Sequence, residues 1–433
     1  MSASGPGLTK GQRTPLTRAQ KTGFWGAWAG WTLDGMDSVI YALVLSPALA
    51  ELLPRSGMAA TPANISMTGS LLFGLFLVGW GLSMVWGPVA DRFGRTRVLA
   101  ATIFVYAIFT AAAAMAQTVW QLGLFRLLAG VGIGGEWALA GTYVAEAWPE
   151  DRRKMGAGYL QTGYYAGFFL ASALNYTVAA HFGWRAMFWC GLSPVLVAFV
   201  VLFRVKEPER WQQAEHTAPA GRGAALRGIF AAPYRRRTVV NSVLVWAAIC
   251  GLWAGAVYTP AAIATMARRA GMSALAAVHA SSYGMGLLSL GTIAGCLVAP
   301  WLAERVGRRA ALAVYFAGMA VSIAFCFGWA FYRPDGLSLF LAGLTVLGFF
   351  GGNFAIFSLW LPEQYGTAVR VTAFAFATSV GRFLAAGVNF GLGAMIRRVG
   401  SLGVPVAMTA LAFLVGLAVL PLAVETRGER LPE

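Results

Sequence analysis

The sequence predicts an all-α integral membrane protein, with twelve transmembrane helices in two six-helix, pseudo-symmetric halves. Composition is the first reason. The 433 residues are 58% hydrophobic and 12% charged, with a mean hydropathy of +0.65, whereas a soluble domain carries about 25% charged residues. Apolar stretches of about 20 residues, the length that crosses a bilayer core, recur along nearly the whole chain. Charge placement is the second reason. Lys and Arg gather in short loops on alternating sides of these stretches, which is the positive-inside pattern. The third is an internal repeat that returns after 213 to 217 positions.

In chain order the spans are expected at 24–50, 66–90, 97–116, 119–147, 155–180, 184–203, 238–265, 279–303, 309–332, 337–362, 368–396 and 401–422. With the N-terminus inside, 24 of the 33 Lys and Arg are cytoplasmic and 7 external, and Arg126 and Arg382 lie within spans. Both termini are then cytoplasmic. A polar linker rich in Arg, Ala and Pro, 204–237, separates a half at 23–203 from one at 238–424, with tails at 1–22 and 425–433. The first tail is polar and basic, so no cleaved signal peptide is expected. "ADRFGR" (90–95) returns as "AERVGR" (303–308), and "GGEWALAGTYVAE" (134–146) as "GGNFAIFSLWLPE" (351–363), which pairs Glu146 with Glu363 and Arg153 with Arg370. Two such halves in one orientation imply a substrate site near the midplane between them, reached from either side in turn.

Several functions are argued against. The net charge of +16 is spread through the loops, with no basic stripe interleaved with aromatics, so nucleic acid is not an expected partner. Cys190, Cys250, Cys296 and Cys326 all fall in apolar spans and read as small buried hydrophobes. His181, His216 and His279 are too scattered for a metal site. "GVGIGG" (130–135) matches a dinucleotide fingerprint but follows no strand, and small residues inside an apolar helix serve close helix packing. No phosphate-binding loop or nucleophile–base set occurs, so neither an enzyme nor ATP-driven transport is expected.

The charged residues inside the spans carry the chemistry. Each costs roughly 2.5–3.5 kcal/mol at the centre of a membrane helix unless it is paired or hydrated. Asp34 and Asp37, three residues apart in "GWTLDGMDSVIYALVLSPALA" (30–50), share a helix face. Two carboxylates this close resist ionising together, so one of them can carry a proton, although a static salt bridge is the alternative. Arg126, in the external half of the fourth span, is the expected partner of Asp37. Glu136 lies ten residues on, about 80° around the helix, where it could relay protons or hold a neighbouring helix. Trp137 fits either packing or a cavity wall. Arg382 has no acid within four residues and sits on a polar stripe with Thr378, Ser379 and Asn389. The repeat sets it opposite Tyr165, whose stripe includes Gln161 and Tyr164.

"GPVADRFGRTR" (87–97), "FRLLAGVGIGGE" (125–136), "YVAEAWPEDRRKMGAG" (143–158), "VKEPERW" (205–211) and "VETRGERL" (424–431) together resemble the major facilitator superfamily from end to end. "DGMD" in the first span and "GGEWALAGTYVAEAWPE" are similar to the sialate and monocarboxylate proton symporters, and the aromatic-acid proton symporters share the DGxD pattern. The resemblance implies the major facilitator fold and maps a proton-coupling pair onto Asp37 and Arg126. It implies an anion-binding role for Arg382, for which a planar two-donor guanidinium is suited. It also implies a gate latch in which Asp91, Arg95, Glu304 and Arg308 work with Glu146, Arg153, Glu363 and Arg370.

The expected function is therefore proton-coupled symport of an organic acid anion (a monocarboxylate, a sialate-like acid or an aromatic acid) by alternating access. The alternatives are a sugar or polyol transporter, or a drug–proton antiporter, of the same fold. Arg382 would hold the carboxylate, with Tyr164, Tyr165, Gln161, Phe357, Asn353 and Asn389 around it. Asp34, Asp37, Arg126 and Glu136 would handle the proton. No cofactor is expected beyond a proton gradient. The expected partners are the organic anion, protons and the lipid bilayer, for a monomer in a bacterial inner membrane.

Overall fold

The computed structural model describes residues 14–86, 89, 95–204, 224–366, 369–429 and 432. Its elements are the helices α1 Arg18–Arg55, α2 Pro62–Leu82, α3 Arg95–Ala113, α4 Val119–Ala147, α5 Glu150–Leu174, α6 Ala180–Cys190, α7 Pro194–Arg204, α8 Ala224–Gly228, α9 Arg235–Arg269, α10 Ala274–Val306, α11 Arg308–Ile323, α12 Gly336–Gly351, α13 Phe354–Glu363, α14 Arg370–Val399, α15 Gly403–Met408 and α16 Ala410–Val419, with short tighter or wider turns between some of them. No strand occurs among the described residues.

Nine stretches among the described residues are long and apolar enough to cross a membrane. One of them, Met155–Phe199, reverses at Gly183, whose φ of +78° a side chain would resist, and so supplies the fifth and sixth spans. With α3 and α4, the transmembrane helices number twelve. The tenth span is α12 and α13 in series, and the twelfth is α15 and α16.

Starts are set by local chemistry. Thr17 closes a reciprocal cap with Gln20 ahead of α1. Thr61, Thr118 and Ser273 each accept a backbone N–H in the first turn of α2, α4 and α10. The turn between α10 and α11 is a single Gly307 at φ +95°. There the carboxylate of Glu425 accepts the first N–H groups of α11, from Arg308 at 2.9 Å and Arg309 at 3.0 Å.

Packing follows the repeat. α1 lies on α5 as α9 lies on α14, and α2 lies on α4 as α10 lies on α12. The two halves meet along α2–α14 and along α5–α10, a pair of interfaces exchanged by the pseudo-two-fold. Close approach depends on glycine. A Cβ at Gly35 would overlap the carbonyl of Tyr164, and one at Gly167 the carbonyl of Thr32, so α1 and α5 touch backbone to backbone. Gly130 and Gly132 of "GVGIGG" likewise admit the backbones of α2 and α3, the packing role expected of that stretch.

Gly35→Ala should therefore destabilise the purified protein by about 1–3 kcal/mol. Gly387→Ala, where a Cβ meets nothing within 4 Å, should leave the thermal unfolding temperature unchanged or slightly raised. Equal effects at the two positions would refute the role of close approach.

Candidate functional site

Asp34 and Asp37 lie one turn apart at the middle of α1, both fully buried. Arg126 reaches them from α4, with Nη1 3.7 Å from Asp37 Oδ2. Its guanidinium also lies over the rings of Phe76 at 4.4 Å and Tyr41 at 5.0 Å, two cation–π contacts that help carry a buried charge. Glu136, further along α4, rests against α1 at Gly30, where any Cβ would overlap Oε1. Glu136, Asp37 and Arg382 are charged groups close enough to act on Asp34. Neither oxygen of Asp34 has a hydrogen-bond partner.

Arg382 enters this group from α14, across the interface between the halves. Its guanidinium carbon lies 4.4 Å from the ring centre of Trp80 on α2 and 5.7 Å from that of Trp137 on α4. Among the described residues it makes no hydrogen bond or ion pair. Glu363, the acid that a purely structural bridge would use, is taken by Arg308 instead. Around Arg382 the rings continue. Trp137 is near-parallel to Trp31 (centroids 6.0 Å apart, 12° between planes) and takes the edge of Phe374 at 4.9 Å, while Trp31 meets Tyr164 at 4.6 Å. Three carboxylates and two guanidiniums thus share one aromatic-lined site, with none of the five more than 4% exposed.

The remaining residues expected around a substrate are distributed differently. Tyr164 belongs to the cluster. Tyr165 points its hydroxyl at the Gly351 carbonyl across the interface (3.5 Å), and Gln161 accepts from Ser358 at 3.4 Å. Asn353 donates to the Phe350 carbonyl, leaving its own Oδ1 buried and unpaired. Asn389 accepts from Tyr258 (3.3 Å), which shares a 2.7 Å bond with Ser70, so these three tie α2, α9 and α14 together. Phe357 packs on Phe316 and Phe354, within the second half. Trp31 and Trp80 were not anticipated. Tryptophan is common throughout this chain, and nothing in its spacing separates a site indole from one such as Trp120, which is 65% exposed.

Of the latch residues, Arg308 is fully buried and grips Glu363 through two bonds of 2.9 and 3.0 Å, with Glu304 at 2.6 Å. Thr426 donates to the same Glu363 at 2.6 Å, and Arg370 donates to the carbonyls of Pro362, Tyr365 and Pro432. Asp91 and the side chains of Arg95, Glu146 and Arg153 lie outside the described residues.

With this geometry in view, comparison with known proteins is decisive on the family: residues 27–388 match the Major Facilitator Superfamily model. The chain belongs to that superfamily. It is 30% identical over 420 residues to the "Probable 4-methylmuconolactone transporter" of Cupriavidus pinatubonensis, covering 94% of this chain and 91% of that one. It is 28% identical over 400 residues to the "Niacin transporter NiaP" of Acinetobacter baylyi, covering 86% of each. The xylose transporter XylE from E. coli, in a partially occluded inward open conformation, superposes with a TM-score of 0.73 at 17% identity, over 96% of this chain and 100% of that one, a likeness of fold. The chain is thus a membrane transporter rather than an enzyme.

Removing one partner of a buried ion pair strands the other charge, at a cost of roughly 3–5 kcal/mol. Glu363→Ala should therefore lower the thermal stability of the purified protein strongly. Glu304→Ala, at a carboxylate that is 36% exposed, should cost about 0–1 kcal/mol. A reversed order would show that Arg308 is held by Glu304 instead.

Proposed function

We propose that this transporter carries an organic acid anion together with a proton, by alternating access, across a bacterial inner membrane with both termini cytoplasmic. One observation carries the reading: Arg382 is a buried guanidinium to which, among the described residues, no acid is bound, and it faces Asp34 of the opposite half among aromatic rings. A planar cation so placed is a ready partner for a carboxylate bonded through two donors. The relatives' names, a muconolactone and niacin, are in keeping with small unsaturated or aromatic acids. The bias of Lys and Arg toward one side supports the orientation.

Coupling follows from charge balance. Asp34, Asp37 and Glu136 against Arg126 and Arg382 leave one excess negative charge, which a single proton on the carboxylates neutralises. An incoming monocarboxylate adds another. In a site closed to bulk water an uncompensated charge is expensive, so binding the anion favours uptake of one more proton, and protonation favours binding the anion by the same free energy. Asp34 is the carboxylate that feels the charge of Arg382, and a proton taken there weakens that attraction and leaves the guanidinium freer for the anion. Asp37, held by Arg126, is the link to the rest of the cycle. The latch around Arg308 and Glu363 would favour one of the two alternating states.

Asp37→Asn should retain exchange of labelled substrate across proteoliposome membranes while losing accumulation driven by an inward proton gradient. Accumulation that survives would move the coupling role to Asp34 or Glu136. For Arg382, an acid and its neutral amide should be strongly discriminated by the wild type and hardly at all by Arg382→Ala. Arg382→Lys should also bind the acid weakly, because the charge remains but the two-donor fork is lost. Equal discrimination by wild type and Arg382→Ala would make Arg126 the anion partner.

A further inference from the structure

We infer that the site is built for a planar, conjugated acid bearing a second hydrogen-bond acceptor away from its carboxylate, such as a ring nitrogen or ring carbonyl, and that the indole N–H groups of Trp31 and Trp137 read that acceptor. The inference rests on the reading of Arg382 as the partner of the carboxylate. It is carried by three buried donors that the protein leaves unmet. Among the described residues the indole nitrogens of Trp31, Trp80 and Trp137 have no hydrogen-bond partner, and these side chains are 2%, 4% and 3% exposed. Trp148 and Trp246 also carry unmet indole nitrogens, whereas Trp86 donates to the Val131 carbonyl, Trp184 to Glu51 and Trp360 to the Val424 carbonyl; the three at the site are set apart by lying in one run of rings around Arg382.

A buried donor without an acceptor is costly, because it has given up water and gained nothing. Acceptors do stand on the same wall, the oxygens of Asp34 and Oε2 of Glu136, yet none of them takes these N–H groups. Trp80 lies against Arg382 and is placed to join it on the carboxylate. Trp137 borders the same guanidinium at 5.7 Å and Trp31 stacks on Trp137, within 12° of parallel, so the wall continues beyond Arg382. Stacked on each other, the two indoles make a flat aromatic wall, against which a planar ring packs better than a puckered one. On this proposal, a ring held through its carboxylate at Arg382 and lying along this wall presents its acceptor to one of the two unmet N–H groups. A site that offers a donor rejects the analogue lacking the matching acceptor, since the donor stays unpaired.

Benzoate, nicotinate and isonicotinate test this, since they share size, planarity and carboxylate and differ in a ring nitrogen. The full-length purified protein should bind one of the two pyridine acids about five- to tenfold more tightly than benzoate, the difference expected for one hydrogen bond. Trp31→Phe and Trp137→Phe keep an aromatic ring and remove the N–H. At least one of them should abolish that preference, weakening the favoured pyridine acid more than it weakens benzoate. Wild type that binds all three acids equally overturns the inference, with no variant needed. So do variants that weaken all three equally. Arg382→Ala separates the two readings. If it binds benzoate as well as wild type does, the carboxylate assignment fails, whatever the indoles do. If wild type binds none of the three acids, both fail.

Discussion

Charge balance inside the bundle is the constraint to which the rest of this structure answers. Five ionisable side chains from three helices sit in one sealed cluster: Asp34 and Asp37 from α1, Arg126 and Glu136 from α4, and Arg382 from α14. Each would cost roughly 2.5–3.5 kcal/mol alone in a bilayer core, so they are tolerable only as a set. Fully ionised, the set carries one excess negative charge, which a proton on one carboxylate neutralises. Arg126 is fixed between Asp37 and two ring faces, whereas Arg382 rests on rings alone. That difference is the basis for proposing Arg382, rather than Arg126, as the cation that meets a ligand.

The packing serves this cluster. Glu136 approaches α1 only because residue 30 is glycine, and α1 sits on α5 only because residues 35 and 167 are glycine. Arg382 belongs to α14, whose main contact is α2 of the other half, so a ligand bound to it bears on the interface that must rearrange during transport. Other bonds cross that interface too, among them Ser70–Tyr258 and Asn175–Ser282. They are short polar contacts rather than ion pairs, and such contacts break at modest cost. Among the described residues the buried ion pairs stay within a half, Arg126 with Asp37 in the first and Arg308 with Glu363 in the second, where Glu425 caps α11 and Thr426 bonds Glu363.

Much of this was legible in the sequence. Hydropathy, alternating basic loops and the repeat of "ADRFGR" as "AERVGR" gave the twelve spans, because a bilayer imposes length and charge rules that composition records directly. Asp34, Asp37, Arg126, Glu136 and Arg382 stood out for the same reason, since charge in an apolar span is rare. The aromatic wall was not legible. A tryptophan facing lipid and one facing a site satisfy the same hydropathy, and only tertiary packing separates Trp31 from Trp120. Phe357 illustrates the converse, a ring on the right helix turned toward Phe316. The capping of α11 by Glu425 joins residues 116 and 117 positions apart, beyond the reach of any local pattern.

The most direct measurement counts protons as the anion binds. Isothermal titration of the purified transporter with a monocarboxylate, at one pH in buffers of differing ionisation enthalpy, gives that number from the slope of the observed heat. Charge balance among three carboxylates and two guanidiniums predicts uptake of about one proton per anion. It also predicts that the neutral amide of the same acid takes up none. A proton count of zero for the anion, with binding intact, would contradict the linkage between Arg382 and the carboxylates that face it.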